Sequence, residues 1–351
     1  MAPGSLADVL GGPLVVAPMA GGPSTPELVA AVADVGALGF LAAGYTSVDA
    51  MTSAMAAVRA RTAEPFGVNV FVPGAPSADR DGLGRYLDSL RADAAAVGAE
   101  LGEATWDDDA FEGKVDALVA DPPAVVSFTF GCPTPEAIAA LQEAGSVVAV
   151  TVTKPEEAAA AAAAGADALC VQGREAGAHR GTFDVAAPLG AEMGLFELIG
   201  AVAHVTDLPQ VAAGGIMTPE QLRSALAAGA VAAQCGTAFL RCPESGAHAT
   251  YKAALADSRY TTTAYTRAFS GRWARGLVNR FITDHPDAPA AYPEINNATR
   301  PLRAAAAARG DADRISLWAG EGYRMAREQP AAEIVAWLCS LAPRSRHRDQ
   351  R

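Results

Sequence analysis

This chain of 351 residues is short of charge, of aromatic side chains and of cysteine: charged residues make up 19%, aromatics 6%, and the cysteines number 5. Basic residues are the scarcer sign, with 27 Lys and Arg against 39 Asp and Glu and a formal net charge of -12. That balance excludes a nucleic-acid surface, which needs clustered cations to displace the counterions of phosphates. Cys132, Cys170, Cys235, Cys242 and Cys339 are odd in number and scattered, so they lack the close pairing of a zinc site and read as reduced, mostly buried thiols. His179, His204, His248, His285 and His347 show no metal-ligand spacing either. No apolar run reaches the length of a membrane span. Met1 to Ser5 lack the cationic start and apolar stretch of a secretory leader, so the expected location is cytoplasmic. The one basic cluster, Arg344, Arg346, His347, Arg348 and Arg351, reads as a solvated terminus and not as a binding arm.

What is present is apolar. Hydrophobic residues make up 50% and the mean hydropathy is +0.15, values suited to an enzyme with many buried strands. Short apolar runs alternate with amphipathic, alanine-rich segments, the mark of βα units around a parallel sheet. Strands are expected at 14–17, 38–42, 66–70, 124–128, 147–151, 166–172, 210–213 and 231–235, enough to close a (β/α)8 TIM barrel. Helices after several of them start at Thr25-Pro26-Glu27, Thr134-Pro135-Glu136, Thr153-Lys154-Pro155-Glu156 and Thr218-Pro219-Glu220. In these, threonine can cap free amides, proline suits the first turn, and glutamate favours the positive end of the dipole. Residues 72–123 are too many for one βα connection and include a helix-like stretch at 83–101, which reads as an excursion over the barrel mouth. After Leu240 the rhythm stops, and 247–256, 298–308 and 320–341 read as helices. Two domains follow: a barrel over 1–240 and a mainly helical, substrate-side subdomain over 241–351.

Ligand-facing residues of a barrel lie just past the carboxyl ends of its strands. By that rule the candidates are Met19, Asn69, Gln172 and Gly177, the pair Gly214-Gly215 and the run Gln234-Cys235-Gly236-Thr237. The loops after strands seven and eight form the common phosphate site of such barrels, so a phosphate-bearing ligand is implied. Asn69 and Gln172 offer amides to a heterocycle, or else tie one loop to another. His179, set among glycines in QGREAGAHRG (Gln172 to Gly181), is the candidate catalytic residue; the alternative is a loop histidine that satisfies only local hydrogen bonds. Trp318 and Tyr323 either cap the site or pack in the core.

Taken together, APMAGG from Ala17, FGVN from Phe66, QGREAGAHRG from Gln172, AAGGI from Ala212 and QCGTAF from Gln234 resemble the nitronate monooxygenase family, formerly called 2-nitropropane dioxygenases. The match runs in order from about residue 13 to 240, with weaker similarity at Ser270-Gly271-Arg272 and around Trp318. The resemblance implies an FMN-dependent barrel that oxidises alkyl nitronates, and in some members nitroalkanes, with molecular oxygen to carbonyl compounds and nitrite. It would make His179 catalytic, and would have Asn69, Gln172, Gly177, Gly214, Gly215, Gln234, Cys235, Gly236 and Thr237 hold FMN. The family usually has two glycines before the histidine, where this chain has Gly177-Ala178. The related FMN-dependent enoyl-acyl-carrier-protein reductases carry a similar segment, so an enoyl thioester reductase using NAD(P)H is the alternative, with a non-catalytic flavin-binding module as a third reading.

Overall fold

A computed structural model describes residues 5–190 and 192–342. The basic tail from Arg344 to Arg351 lies outside the described residues. Eight parallel strands close a barrel: Leu14–Val16, Leu38–Ala42, Phe66–Phe71, Val125–Thr129, Val147–Val152, Ala168–Gln172, Gln210–Ala213 and Ala232–Cys235. The first and eighth join in register, Val15 opposite Gln234, so no edge is left open. Every expected strand is present, its ends shifted by no more than a residue or two.

The barrel holds because nearly every strand residue is buried on both faces, as in a parallel sheet covered by helices. Val15, Phe40, Val125, Val147 and Val211 fill its interior, with Leu6 packed against them. Each such side chain removed from water contributes about 1.5–3 kcal/mol. Thr25, Thr134 and Thr218 cap their helices through bonds from Leu28, Ala137 and Gln221 amides. Thr153 does not cap; its N–H and hydroxyl both donate to the buried carboxylate of Glu157 at 2.7 and 2.8 Å. Lys154 takes the cap position there without a side-chain bond.

The excursion and the residues beyond 240 share one core. Leu83, Tyr86, Leu90 and Val97 pack with Phe269, Phe281, Ile295 and Leu317, and the Tyr86 hydroxyl donates to the Ala268 carbonyl at 2.6 Å. The stretch expected as one helix over 83–101 is two, Arg80–Ser89 and Arg91–Ala96, separated at Leu90. Likewise 320–341 is not continuous. Pro330 starts the helix Ala331–Leu338, and before it stands only a short turn of 3-10 helix, Tyr323–Met325. That last helix returns to the barrel, where Ile334, Val335 and Leu338 join Leu28 and Val32.

A further difference bears on the site. The mainly helical region after Leu240 also contains two antiparallel strands, Thr263–Thr266 and Ala274–Leu277, and a third short strand, Ala178–His179, pairs with the second of them. His179 lies opposite Ala274, so the candidate catalytic residue is part of a second sheet standing on the barrel mouth.

Candidate active site

One cavity of about 690 Å3 opens at the carboxyl ends of the barrel strands. The candidate catalytic and cofactor residues, from Met19 and Asn69 through Gln172, Gly177 and His179 to Gly214, Gly215 and Gln234–Thr237, all reach its wall. The volume falls in the range of small-molecule and cofactor sites, about 300–1,000 Å3.

The glycine loops form one end. Gly214 and Gly215 are left-handed, φ 122° and 70°, which reserves them for glycine. A Cβ on Gly215 would also sit 2.9 Å from Glu175 Cβ. The N–H groups of Gly215, Ile216, Gly236 and Thr237 have no protein acceptor among the described residues. Two adjacent loops thus present unspent donors to the same space, an arrangement that accepts an oxyanion. Gly236 is different in kind: its φ of -106° is ordinary, and a Cβ there would meet nothing closer than Ala17 Cβ at 3.4 Å.

The amides at the strand ends divide their work. Asn69 spends its NH2 on Ser127 O, Ser127 Oγ and Thr129 Oγ1 at 2.9–3.1 Å, and its Oδ1 takes no bond from the described residues. Gln172 is a loop tie: its Nε2 donates to the His179 carbonyl at 3.0 Å and its Oε1 accepts from Gly181 N at 2.8 Å. Gln234 donates to Cys170 Sγ at 3.2 Å, and burial pushes the Cys170 thiol up to about 12. Cys235 edges the cavity, but its side chain belongs to the core and is 2% exposed. Gly177 has a packing reason to be glycine, since a Cβ there would lie 2.3 Å from Gly320 N. Ala178 keeps a left-handed φ of 63° despite its methyl.

His179 stands in an aromatic setting, its ring 5.7 Å from Phe130, 5.7 Å from Tyr292 and 5.5 Å from Trp318 between centroids. Its Nε2 is 2.8 Å from Ser270 Oγ. Burial, and then the guanidinium groups of Arg272 and Arg303, lower its pKa to about 3, so the ring is neutral near pH 7. Ser270 Oγ donates in turn to the Arg272 carbonyl at 3.2 Å. With its proton placed there, the serine accepts from Nε2–H and leaves Nδ1 as the basic nitrogen. Arg272 stacks over the Phe130 ring at 4.1 Å. Arg303 lines the cavity and is anchored by Asn296 O and Oδ1 and by Thr299 Oγ1.

Sequence reading missed Tyr45, Phe130, Ser270's contact, Tyr292 and Arg303. Asn296, Arg300 and Arg303 share a face of the helix Glu294–Ala308, at a spacing visible in the sequence, yet nothing local says which side meets the barrel. Trp318 lines the cavity, whereas Tyr323 is 3% exposed and donates to the Tyr260 carbonyl, a core residue.

A closed parallel barrel with free amides beyond its last two strands, and a half-buried neutral histidine across the same cavity, is the architecture of a (β/α)8 enzyme with a cofactor-sized site. A family model described as nitronate monooxygenase matches residues 5–340. The nitronate monooxygenase of Pseudomonas aeruginosa is 42% identical over 93% of this chain and 95% of that protein. A probable nitronate monooxygenase of Bacillus subtilis is 34% identical over 93% and 95%. Among solved structures, nitroalkane oxidase from Streptomyces ansochromogenes superposes with a TM-score of 0.94 at 50% identity, covering 96% of this chain and 98% of that one. FabK from Thermotoga maritima follows the same fold with a TM-score of 0.73 at 25% identity, over 96% and 94%. The chain belongs to the nitronate monooxygenase family. It is an oxidoreductase of nitronates or nitroalkanes, and its cofactor is a flavin.

Proposed function

We propose that the flavin is FMN and that the enzyme oxidises small alkyl nitronates with molecular oxygen to carbonyl compounds and nitrite. The observation that carries this reading is the set of unspent amides on the loops of Gly214–Ile216 and Gly236–Thr237, facing one cavity with His179. Such a cradle suits a single phosphate, and the loop after the first strand, Pro18 to Gly22, has no GxGxxG turn for a dinucleotide. Bound flavin supplies the electron acceptor for the substrate and the route to oxygen.

The protein's own groups bind, orient and move a proton. Gly215, Ile216, Gly236 and Thr237 amides hold the phosphate, and Asn69 Oδ1 and Gln234 are the amide groups left to meet the ring edge. Gln172 fixes the backbone that carries His179, and Ser270 fixes the ring. With Nδ1 unprotonated, His179 accepts the α-proton of a neutral nitroalkane. For a nitronate the histidine is not the positive partner; Arg272 and Arg303 set the potential that draws the anion. The rings of Phe130, Tyr292 and Trp318 beside His179 lower the local polarity, which strengthens those interactions. In this division of labour residues 1–240 hold the cofactor and 241–351 complete the substrate side, in the cytoplasm.

The test is direct. The chromophore released from the purified protein is FMN, and addition of a nitronate in air yields nitrite with uptake of oxygen. FAD in the extract would overturn the phosphate assignment. The enoyl thioester reductase reading, to which the FabK likeness lends weaker support, instead requires consumption of NAD(P)H with an enoyl thioester and no nitrite.

A further inference from the structure

Beside the main cavity lies a second hollow of about 280 Å3, and Tyr45, Thr46, Phe71 and Arg300 belong to the walls of both. Tyr45 stands in that shared wall, its ring edge-on to Phe71 at 5.4 Å between centroids and its hydroxyl 3.1 Å from that of Tyr292. Its backbone is left-handed, φ 66°, a conformation that bulky side chains rarely adopt.

A device reaching from the excursion holds it there. The Tyr45 N–H donates to Asp109 Oδ1 at 3.0 Å, and Asp109 Oδ2 lies 2.7 Å from Nζ of Lys114, whose side chain is 0% exposed. Asp109 and Ala110 are left-handed as well, φ 55° and 51°. A buried ion pair is a poor source of net stability, and strained non-glycine backbone persists only where its surroundings over-determine it. Here both act on one ring.

We propose that Tyr45 is a specificity-determining residue: its ring shuts the second hollow off from the substrate site and limits the nitronate to a short alkyl group, with Asp109 and Lys114 as positioning residues. That the ligand is a nitronate rests on the function proposed above. The direction of its tail follows from charge. Arg303 and the neutral His179 sit on the main-cavity side and Arg300 is shared by both, whereas Asp107, Asp108 and Asp109 line only the second hollow and repel an anion. Phe71, Val72, Pro73 and Pro293 supply the apolar surface that a methylene chain would cover.

The experiment replaces the ring while respecting the backbone. Tyr45→Gly and Tyr45→Asn both tolerate the left-handed conformation, so one serves if the other fails to fold, and Tyr45→Phe keeps the ring. Two readouts on the flavin-loaded protein are compared: kcat/KM for nitronates from ethyl to octyl, and Kd for the matching unreactive alkanoates, read from the flavin absorbance. In the Gly and Asn variants the octyl-to-ethyl ratio of kcat/KM is expected to rise by about tenfold or more, with a parallel gain in octanoate affinity, while Tyr45→Phe keeps the wild-type profile. Unchanged ratios and affinities in folded variants would overturn the proposal, as would the same shift in Tyr45→Phe. If wild type oxidises no nitronate yet alkanoate affinities shift as stated, the partition stands and the substrate reading falls.

Discussion

His179 has lost the property that commonly recommends histidine, a charge that switches near neutrality. Its folded-state pKa of about 3 lies below the ordinary value of 6.5, so a falling pH protonates the unfolded chain first. The stability it contributes is complete above pH 6.5 and is lost as pH falls toward 3. His179→Asn should flatten the acid limb of the stability curve across that window, measured by denaturant titration at several pH values. The same variant should cut turnover of a neutral nitroalkane by about 10² to 10⁴, and of its preformed nitronate by less, at equal flavin occupancy. Equal losses would assign His179 an orienting role only. Gly236 tests the other end of the cavity, because a side chain fits there without strain. Gly236→Asp should weaken flavin binding by at least about tenfold through charge repulsion with the phosphate proposed to sit there, leaving Tm of the flavin-free protein near wild type. Flavin retained at wild-type affinity would remove this loop from the phosphate site.

The barrel strands were legible because each is a short apolar run between turn-formers, and the helix starts because threonine and proline mark them. The second sheet was not. Thr263–Thr266 is only four residues long and does not alternate, and Ala178–His179 is a strand only because Ala274–Leu277 lies beside it. The same holds within the site: Gly214 and Gly215 announce a loop by type, whereas Tyr292 and Ser270 acquire meaning only where the chain returns to His179. Gln172 shows both readings at once, an amide at a strand end that is fully occupied in tying down the histidine loop. That loop predicts opposite effects at adjacent positions. Gly177→Ala drives a methyl into the 319–320 backbone, with Ala319 C 2.4 Å away, and should cost about 1–3 kcal/mol. Ala178→Gly relieves a left-handed alanine and should stabilise by roughly 1 kcal/mol. Chemical denaturation of both variants checks the pair, and a shift of the same sign in each would refute it.

Across the whole molecule, barrel and added region cover each other's apolar surface. The helix Ala331–Leu338 seals Leu28 and Val32 on the barrel flank, and Leu83 and Leu90 of the excursion lie against residues beyond 240. The full chain should therefore unfold in one calorimetric transition. A chain ending at Leu240 should aggregate or melt at markedly lower temperature, and independent melting of the two regions would disprove this coupling. The pairing of His179 with Ala274, and its bond to Ser270, 91 residues further on, also sets an order of events during synthesis. A ribosome finishes the barrel before it makes the strand that His179 needs. A nascent chain stopped short of residue 270 therefore carries all eight barrel strands but lacks both the serine and the strand that orient its histidine.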